Sequence, residues 1–257
     1  MATDLTAAVR RLARRLASLP EGAMRRAVLA EALTAAGPAE SVALLKFLRD
    51  CAPLPQHPEY TALETFGALL AVPGALPYPV VAAIYEEAHR AGAAELARFL
   101  LGSPAAAAID ADTPLPPDPR VAEVPLGARK QLARRQDRDH IERLLADPAA
   151  LVIRQLLQNP RLTEKDVLKI AARRPAVADV LREVFRAERW VRRYSVKRAL
   201  CLNPYTPGEI TARLLPLLRR EDLKLVATDA TLHERVRGDA RRLAAAVRTS
   251  SRPPTRR

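Results

Sequence analysis

Val152 to Ile170 reads VIRQLLQNPRLTEKDVLKI, and Val196 to Leu214 reads VKRALCLNPYTPGEITARL, nearly the same message 44 residues further on. At that offset Val152 matches Val196, Arg154 matches Arg198, Leu156 matches Leu200, and Asn159-Pro160 falls on Asn203-Pro204. Proline lacks an N–H and pushes the residue before it out of the helical region, so an apolar helix running into Asn-Pro should stop at the asparagine. A second helix should start soon after, from Thr163-Glu164-Lys165-Asp166 in one copy and Thr206-Pro207-Gly208-Glu209 in the other. A threonine hydroxyl accepts from the N–H three residues on, a carboxylate reaches back, and Pro207 would sit at the first helical position. This alignment deletes one residue between the copies. Val177, Val180, Leu181, Val184 and Phe185 mark a further helix between them.

Two or three short helices in each unit of about 40 to 47 residues is the range of HEAT and armadillo repeats. The wording V-x-R-x-L-x-x-N-P-x-T-P from Val196 to Pro207 also resembles the leucine-rich repeat variant, a bacterial helical repeat. The resemblance covers about Ala149 to Ala246, with two clear copies and a weak third at Val236 to Leu243. It implies a short α-solenoid, whose commonest use is binding along an extended surface.

The rest of the 257-residue chain agrees with an all-α fold. Alanine, leucine and arginine dominate, aromatic residues make up 4% and there are nine glycines, so helix formers are everywhere and strand-like alternation nowhere. Helices are expected near 4–18, 21–36, 38–50, 59–72, 79–91 and 93–101. Residues 4–19 carry Leu5, Val9, Leu12, Leu16 and Leu19 on one stripe. The uncharged stretch 66–85 is as long as a membrane span, but Pro73, Gly74, Pro77 and Pro79 break it into a helical hairpin. Six prolines between Ser103 and Pro125 point to an extended linker. The expected division is an N-terminal helical domain at 1–102, a linker at 103–125, a basic helical-repeat domain at 126–248 opened by a long basic helix from Gly127 to Ala146, and a disordered tail at 249–257.

Net charge is +13, and residues 126–257 hold 31 Lys and Arg against 15 Asp and Glu, whereas residues 1–125 hold 11 against 14. Such a potential favours an anionic partner, although only six of the 42 basic residues are lysine, as GC-rich coding alone would produce. Cys51 and Cys201 have neither metal spacing nor a disulfide framework and read as core residues of a protein in a reducing compartment, the cytoplasm.

Nothing in the sequence has the pattern of a catalytic site, and no cofactor is expected. The four histidines are scattered, and Gly-rich phosphate loops and Cys-x-x-Cys pairs do not occur. Asp137, Asp139 and His140 form the densest group of metal-ligand types, yet Arg135, Arg138 and Arg143 beside them fit an exposed ion-pair lattice better. Arg189-Trp190-Val191-Arg192-Arg193-Tyr194 mixes aromatics with positive charge, with Trp190 and Tyr194 read as core-facing. The expected activity is therefore non-enzymatic: a scaffold or adaptor holding a protein partner through Arg173, Arg174, Arg189, Arg192, Arg193, Lys197 and Arg198. The alternative is a nucleic-acid-binding repeat protein related to HEAT-like DNA glycosylases. An enzyme assembled from scattered groups such as Asp137, Asp139 and His140 is the remaining rival.

Overall fold

The helix-forming composition is expressed along the whole computed structural model, which describes residues 2–50, 55–101, 105–109 and 115–250. Among them there are sixteen α-helices and no strand. In chain order these are α1 Ala2–Ser18, α2 Gly22–Ala35, α3 Pro38–Asp50, α4 Pro58–Ala71, α5 Tyr78–Arg90, α6 Ala94–Leu101, α7 Leu126–Leu132 and α8 Arg138–Leu144. Then follow α9 Ala150–Leu157, α10 Glu164–Ala172, α11 Ala178–Arg186, α12 Glu188–Val191, α13 Tyr194–Leu202, α14 Gly208–Leu214, α15 Arg220–Thr228 and α16 Glu234–Ser250. They form two compact units, one of Met1–Ser103, Ala212–Thr228 and Glu234–Arg257, the other of Pro104–Thr211 and Asp229–His233.

In the first unit the expected stripe of α1 buries Val9 and Leu16, with Ala13 between them, and α1 packs on α3 and α4. The uncharged stretch becomes α4 and α5, joined by a turn at Gly74 whose φ of 75° is the left-handed region that glycine enters without a Cβ clash. Phe66 of α4 stacks on Phe99 of α6, ring centroids 5.1 Å apart. No helix among the described residues is long and apolar enough to cross a membrane. The helices after Ala212 join this unit through specific bonds: Arg213 donates to the carbonyls of Phe99 and Leu100 at 3.1 and 3.2 Å, and Arg98 grips Asp239 with two nitrogens at 3.3 and 2.8 Å. Sequence division assigned these helices to the repeats. Partners more than 110 residues apart leave no local trace, which is why the grouping differs from it. Val236 to Leu243, the weak third copy, lies inside α16 of this unit, and no Asn-Pro follows it.

The second unit holds both clear copies, and a shared side-chain device explains the Asn-Pro echo. Asn159 Nδ2 donates to the carbonyls of Ala133 and Arg135 just past the end of α7, at 2.9 and 2.8 Å, while its Oδ1 accepts from Arg161 N at 2.9 Å. Asn203 does the same to Ala171 and Arg173 at the end of α10, at 2.8 and 2.9 Å, and accepts from Tyr205 N at 3.0 Å. Each asparagine thus ends its own helix and fastens the end of an earlier one, filling carbonyls that a helix terminus leaves without partners. Accordingly α7 packs on α9 as α10 packs on α13.

Three other helix ends are closed by donors from elsewhere in this unit. Arg173 Nη1 donates to Ala146 O beyond α8, Trp190 Nε1 to Leu157 O of α9 at 2.8 Å, and Arg174 Nη2 to Leu202 O of α13. The ion pairs also repeat: Arg138 of α8 grips Asp166 in the first turn of α10 at 2.6 and 2.5 Å, and Arg182 of α11 reaches Glu209 in the first turn of α14 at 3.0 Å.

Three sequence expectations need correction here. The threonine alignment is off by one: Asp166 N and Val167 N donate to Thr163 O, and Ile210 N and Thr211 N donate to Pro207 O, so the offset of 44 holds without a deletion. Thr163 and Asp166 do form a reciprocal capping box, but Thr206 occupies the place of buried Leu162, itself buried and with no hydrogen bond to its hydroxyl. The long basic helix is in fact two, α7 and α8. Asp137 caps the second by accepting from Asp139 N at 2.8 Å, and the Asn159 bonds hold the intervening turn. The proline-rich stretch belongs to the second unit. Ala107 N donates to Pro204 O at 3.0 Å, Pro119–Val121 form a short 3-10 turn against α8, and Val121 is buried. Extended chain still carries backbone donors, and that of Ala107 finds its acceptor on Pro204, just past the end of α13. Cys51 and residues 251–257 of the tail lie outside the described residues, whereas 249 and 250 end α16.

Candidate functional site

Regrouped by compact unit, the charge asymmetry largely disappears. The second unit has 20 Lys and Arg against 15 Asp and Glu, and the first has 22 against 14. Much of the second unit's arginine is also engaged internally. Arg154 holds Glu183 with two nitrogens at 2.8 and 2.7 Å, and Arg186 holds the same carboxylate at 2.9 Å. Burial pushes the Glu183 carboxyl up, but the two guanidinia outweigh it and hold it below the usual range. The Arg138 guanidinium, with Thr163 assisting, holds Asp166 well below that range against the cost of burial.

The seven residues expected to make the binding surface separate into three groups. Arg173 and Arg174 follow α10, and both spend a guanidinium nitrogen on a helix-end carbonyl; Arg173 is half-buried and Arg174 exposed. Lys197 is not on a surface at all. Only 1% of it is exposed, and its Nζ donates to Arg192 O at 3.0 Å, closing the short α12 from below. Its counterpart in the first copy is Ile153, also buried, so a four-carbon stem fills the aliphatic place while the ammonium finds an acceptor.

The third group, Arg189, Arg192, Arg193 and Arg198, is exposed and lies on α12, on the turn after it and in α13. Trp190 fixes this corner. Its ring is buried, its indole N–H is bonded to Leu157 O, and the Arg189 guanidinium carbon lies 4.5 Å from the ring centroid. Arg193 Nε is 3.9 Å from Glu164 Oε2, and Ser195 Oγ bonds the other oxygen of that carboxylate. Four guanidinia within ten residues thus stand on a helix-turn-helix corner pinned by one indole.

Asp137, Asp139 and His140 are used otherwise. Asp137 is the cap of α8, with its second oxygen 3.0 Å from His140 Nδ1, and no group of three His, Cys, Asp or Glu among the described residues could hold a metal ion. Sequence reasoning missed the clamping role of Asn159 and Asn203 and the burial of Lys197. The only available signal was the alignment of Lys197 with Ile153. No protein family matches the chain, and no curated protein or solved structure is significantly similar to it.

Proposed function

We propose that the second unit is a short array of HEAT-like helical repeats that binds, without catalysis, an acidic segment of a protein partner at the corner of Arg189, Arg192, Arg193 and Arg198. The observation that carries this reading is the pinning of that corner. Guanidinia are planar, always charged and suited to bidentate carboxylate contacts, and a rigid mount reduces the ordering cost of binding. The buried face of Trp190 favours a protein over a nucleic acid, because base stacking needs an exposed aromatic ring. In this reading the protein acts as a cytoplasmic adaptor, where its buried Cys201 stays reduced.

The test is fluorescence anisotropy of the full chain with a labelled glutamate-rich peptide and with random duplex and single-stranded oligonucleotides, each at two salt concentrations. Binding of the peptide, weakened at least tenfold by joint reversal of the four arginines to glutamate, is the expected result. Oligonucleotide binding that outlasts peptide binding near physiological salt would replace it with the nucleic-acid reading, since non-specific phosphate contacts fall away steeply with salt and binding that survives is more than charge alone. Peptide binding untouched by the reversal would remove the corner from consideration.

A further inference from the structure

On α1, in the first unit, the exposed face is as regular as the buried one. Val9, Ala13 and Leu16 are at most 1% exposed, on the side where α1 packs on α3 and α4. At about 100° per residue, the direction opposite that stripe runs between two rows of arginine, Arg10 with Arg14 and Arg11 with Arg15. All four are exposed. The rows diverge by about 100°, and the four charges fall within about 7.5 Å of helix axis. The line midway between them carries Ala7 and Ser18, both exposed and small.

Such a quartet is unfavourable within the fold itself. Like charges three and four residues apart on a helix repel, and the helix dipole offsets this only in the last turn, at Arg15. In the second unit, arginines find carboxylates at close range, as Arg138 does in Asp166 and Arg154 in Glu183. On α1 the one such contact is Arg10 Nε with Glu59, long at 3.9 Å. Among the described residues no carboxylate comes within 4.0 Å of Arg11, Arg14 or Arg15. Arg14 Nε turns back to Arg10 O at 3.4 Å.

We infer that α1 is a phosphate-gripping helix that seats in the major groove of B-form DNA and reads no sequence there. A helix with its side chains is about 10 to 12 Å across and that groove is about 12 Å wide, with a phosphate strand on either side to meet each arginine row. Ala7 and Ser18, facing the groove floor, allow close approach and carry no bidentate fork for a base edge. The other anionic partners fit less well. One acidic helix presents a single convex stripe and meets only one of two diverging rows. A helix lying in a membrane surface buries its apolar face in lipid, and that face of α1 is already in the core. The arginine corner belongs to the second unit and takes no part, and no exposed aromatic ring is needed, because phosphates rather than bases are held.

Fluorescence anisotropy of the full chain with a short DNA duplex of random sequence and with the RNA duplex of the same sequence tests this, alongside flotation with phosphatidylserine vesicles. DNA affinity is expected to fall about a hundredfold between 50 and 200 mM salt, the counterion release of about four phosphates. It should exceed RNA affinity at least about fivefold, because the A-form major groove is too narrow to admit a helix. Joint replacement of the four arginines by glutamine should cost at least about tenfold at the lower salt and flatten the salt dependence, whereas four lysines should retain most of both. Reversal of the corner arginines should leave the preference for DNA over RNA unchanged, so this inference and the acidic-peptide reading fail separately. Equal affinity for the two duplexes overturns it. So does undiminished DNA binding by the glutamine variant or, should that variant fail to fold, by the Arg11→Gln, Arg15→Gln pair. Vesicle flotation that depends on these arginines, without a preference for the DNA duplex, would give the face to a membrane instead.

Discussion

Asn159 and Asn203 show how much one side chain can carry in a short repeat. Each is at most 2% exposed and makes three bonds, two given to carbonyls of another helix end and one accepted within its own turn. Alanine at either position strands one buried and one part-buried carbonyl and an N–H, so we expect Asn203→Ala to lower stability by roughly 2 to 4 kcal/mol, at about 1 to 3 per abandoned group with partial relaxation. Aspartate there keeps the acceptor but turns an anion toward two carbonyls, and should be worse than alanine. Urea unfolding followed by circular dichroism at pH 7 gives the order. The corrected register makes a second contrast. Thr163→Ala removes a working cap and should cost about 1 kcal/mol, whereas Thr206→Val keeps the shape of a buried side chain whose hydroxyl has no partner and should be neutral or stabilising. If the two threonines were equivalent caps, both substitutions would cost alike.

Pairs of helices are held by charge at α8 with α10 and at α9 with α11. Asp166 is buried, and its pKa is depressed chiefly by Arg138. A depressed carboxylate stabilises the fold fully above its unfolded value, about 3.9, and the gain is lost as pH falls toward the folded value. Arg138→Met leaves that anion buried without its cation and should cost about 3 kcal/mol at pH 7. The gap from the unaltered protein should narrow between pH 7 and pH 3, because the orphaned carboxyl takes up a proton more readily; urea midpoints across that range check it. These pairs also mark what could and could not be read in advance. Apolar stripes are local, so the ends of α2, α3, α4 and α5 were legible to within a residue or so, as was the matching of Val152 and Leu156 with Val196 and Leu200. The bonds that align one helix with another join residues far apart in the chain, such as Asn159 with Ala133, 26 positions away, and Trp190 with Leu157, 33 away, and no periodicity encodes them. For the same reason Lys197 looked like a surface charge: an isolated lysine in a basic run gives no sign that a carbonyl waits beneath it.

The molecule as a whole is not divided where its composition changes. The proline-rich stretch belongs to the second unit, and the basic C-terminal helices belong with the N-terminal ones, so a fragment cut at the compositional boundary should be an incomplete body. Residues 1–103 alone lack Arg213, which fills the Phe99 and Leu100 carbonyls, and Asp239, which holds Arg98. They also lack the buried Leu215, Leu217, Leu223, Val226 and Ala240 of the same unit. Each large aliphatic side chain in such a core contributes about 1.5 to 3 kcal/mol of burial, a loss comparable to the whole stability of a domain of this size. The fragment 1–103 should therefore keep helical circular dichroism but bind an apolar dye and melt broadly, well below the full chain, as a compact state without fixed packing does. A sharp melt of the fragment at the temperature of the intact protein, with no dye binding, would mean that the helices after Ala212 merely decorate a complete N-terminal domain.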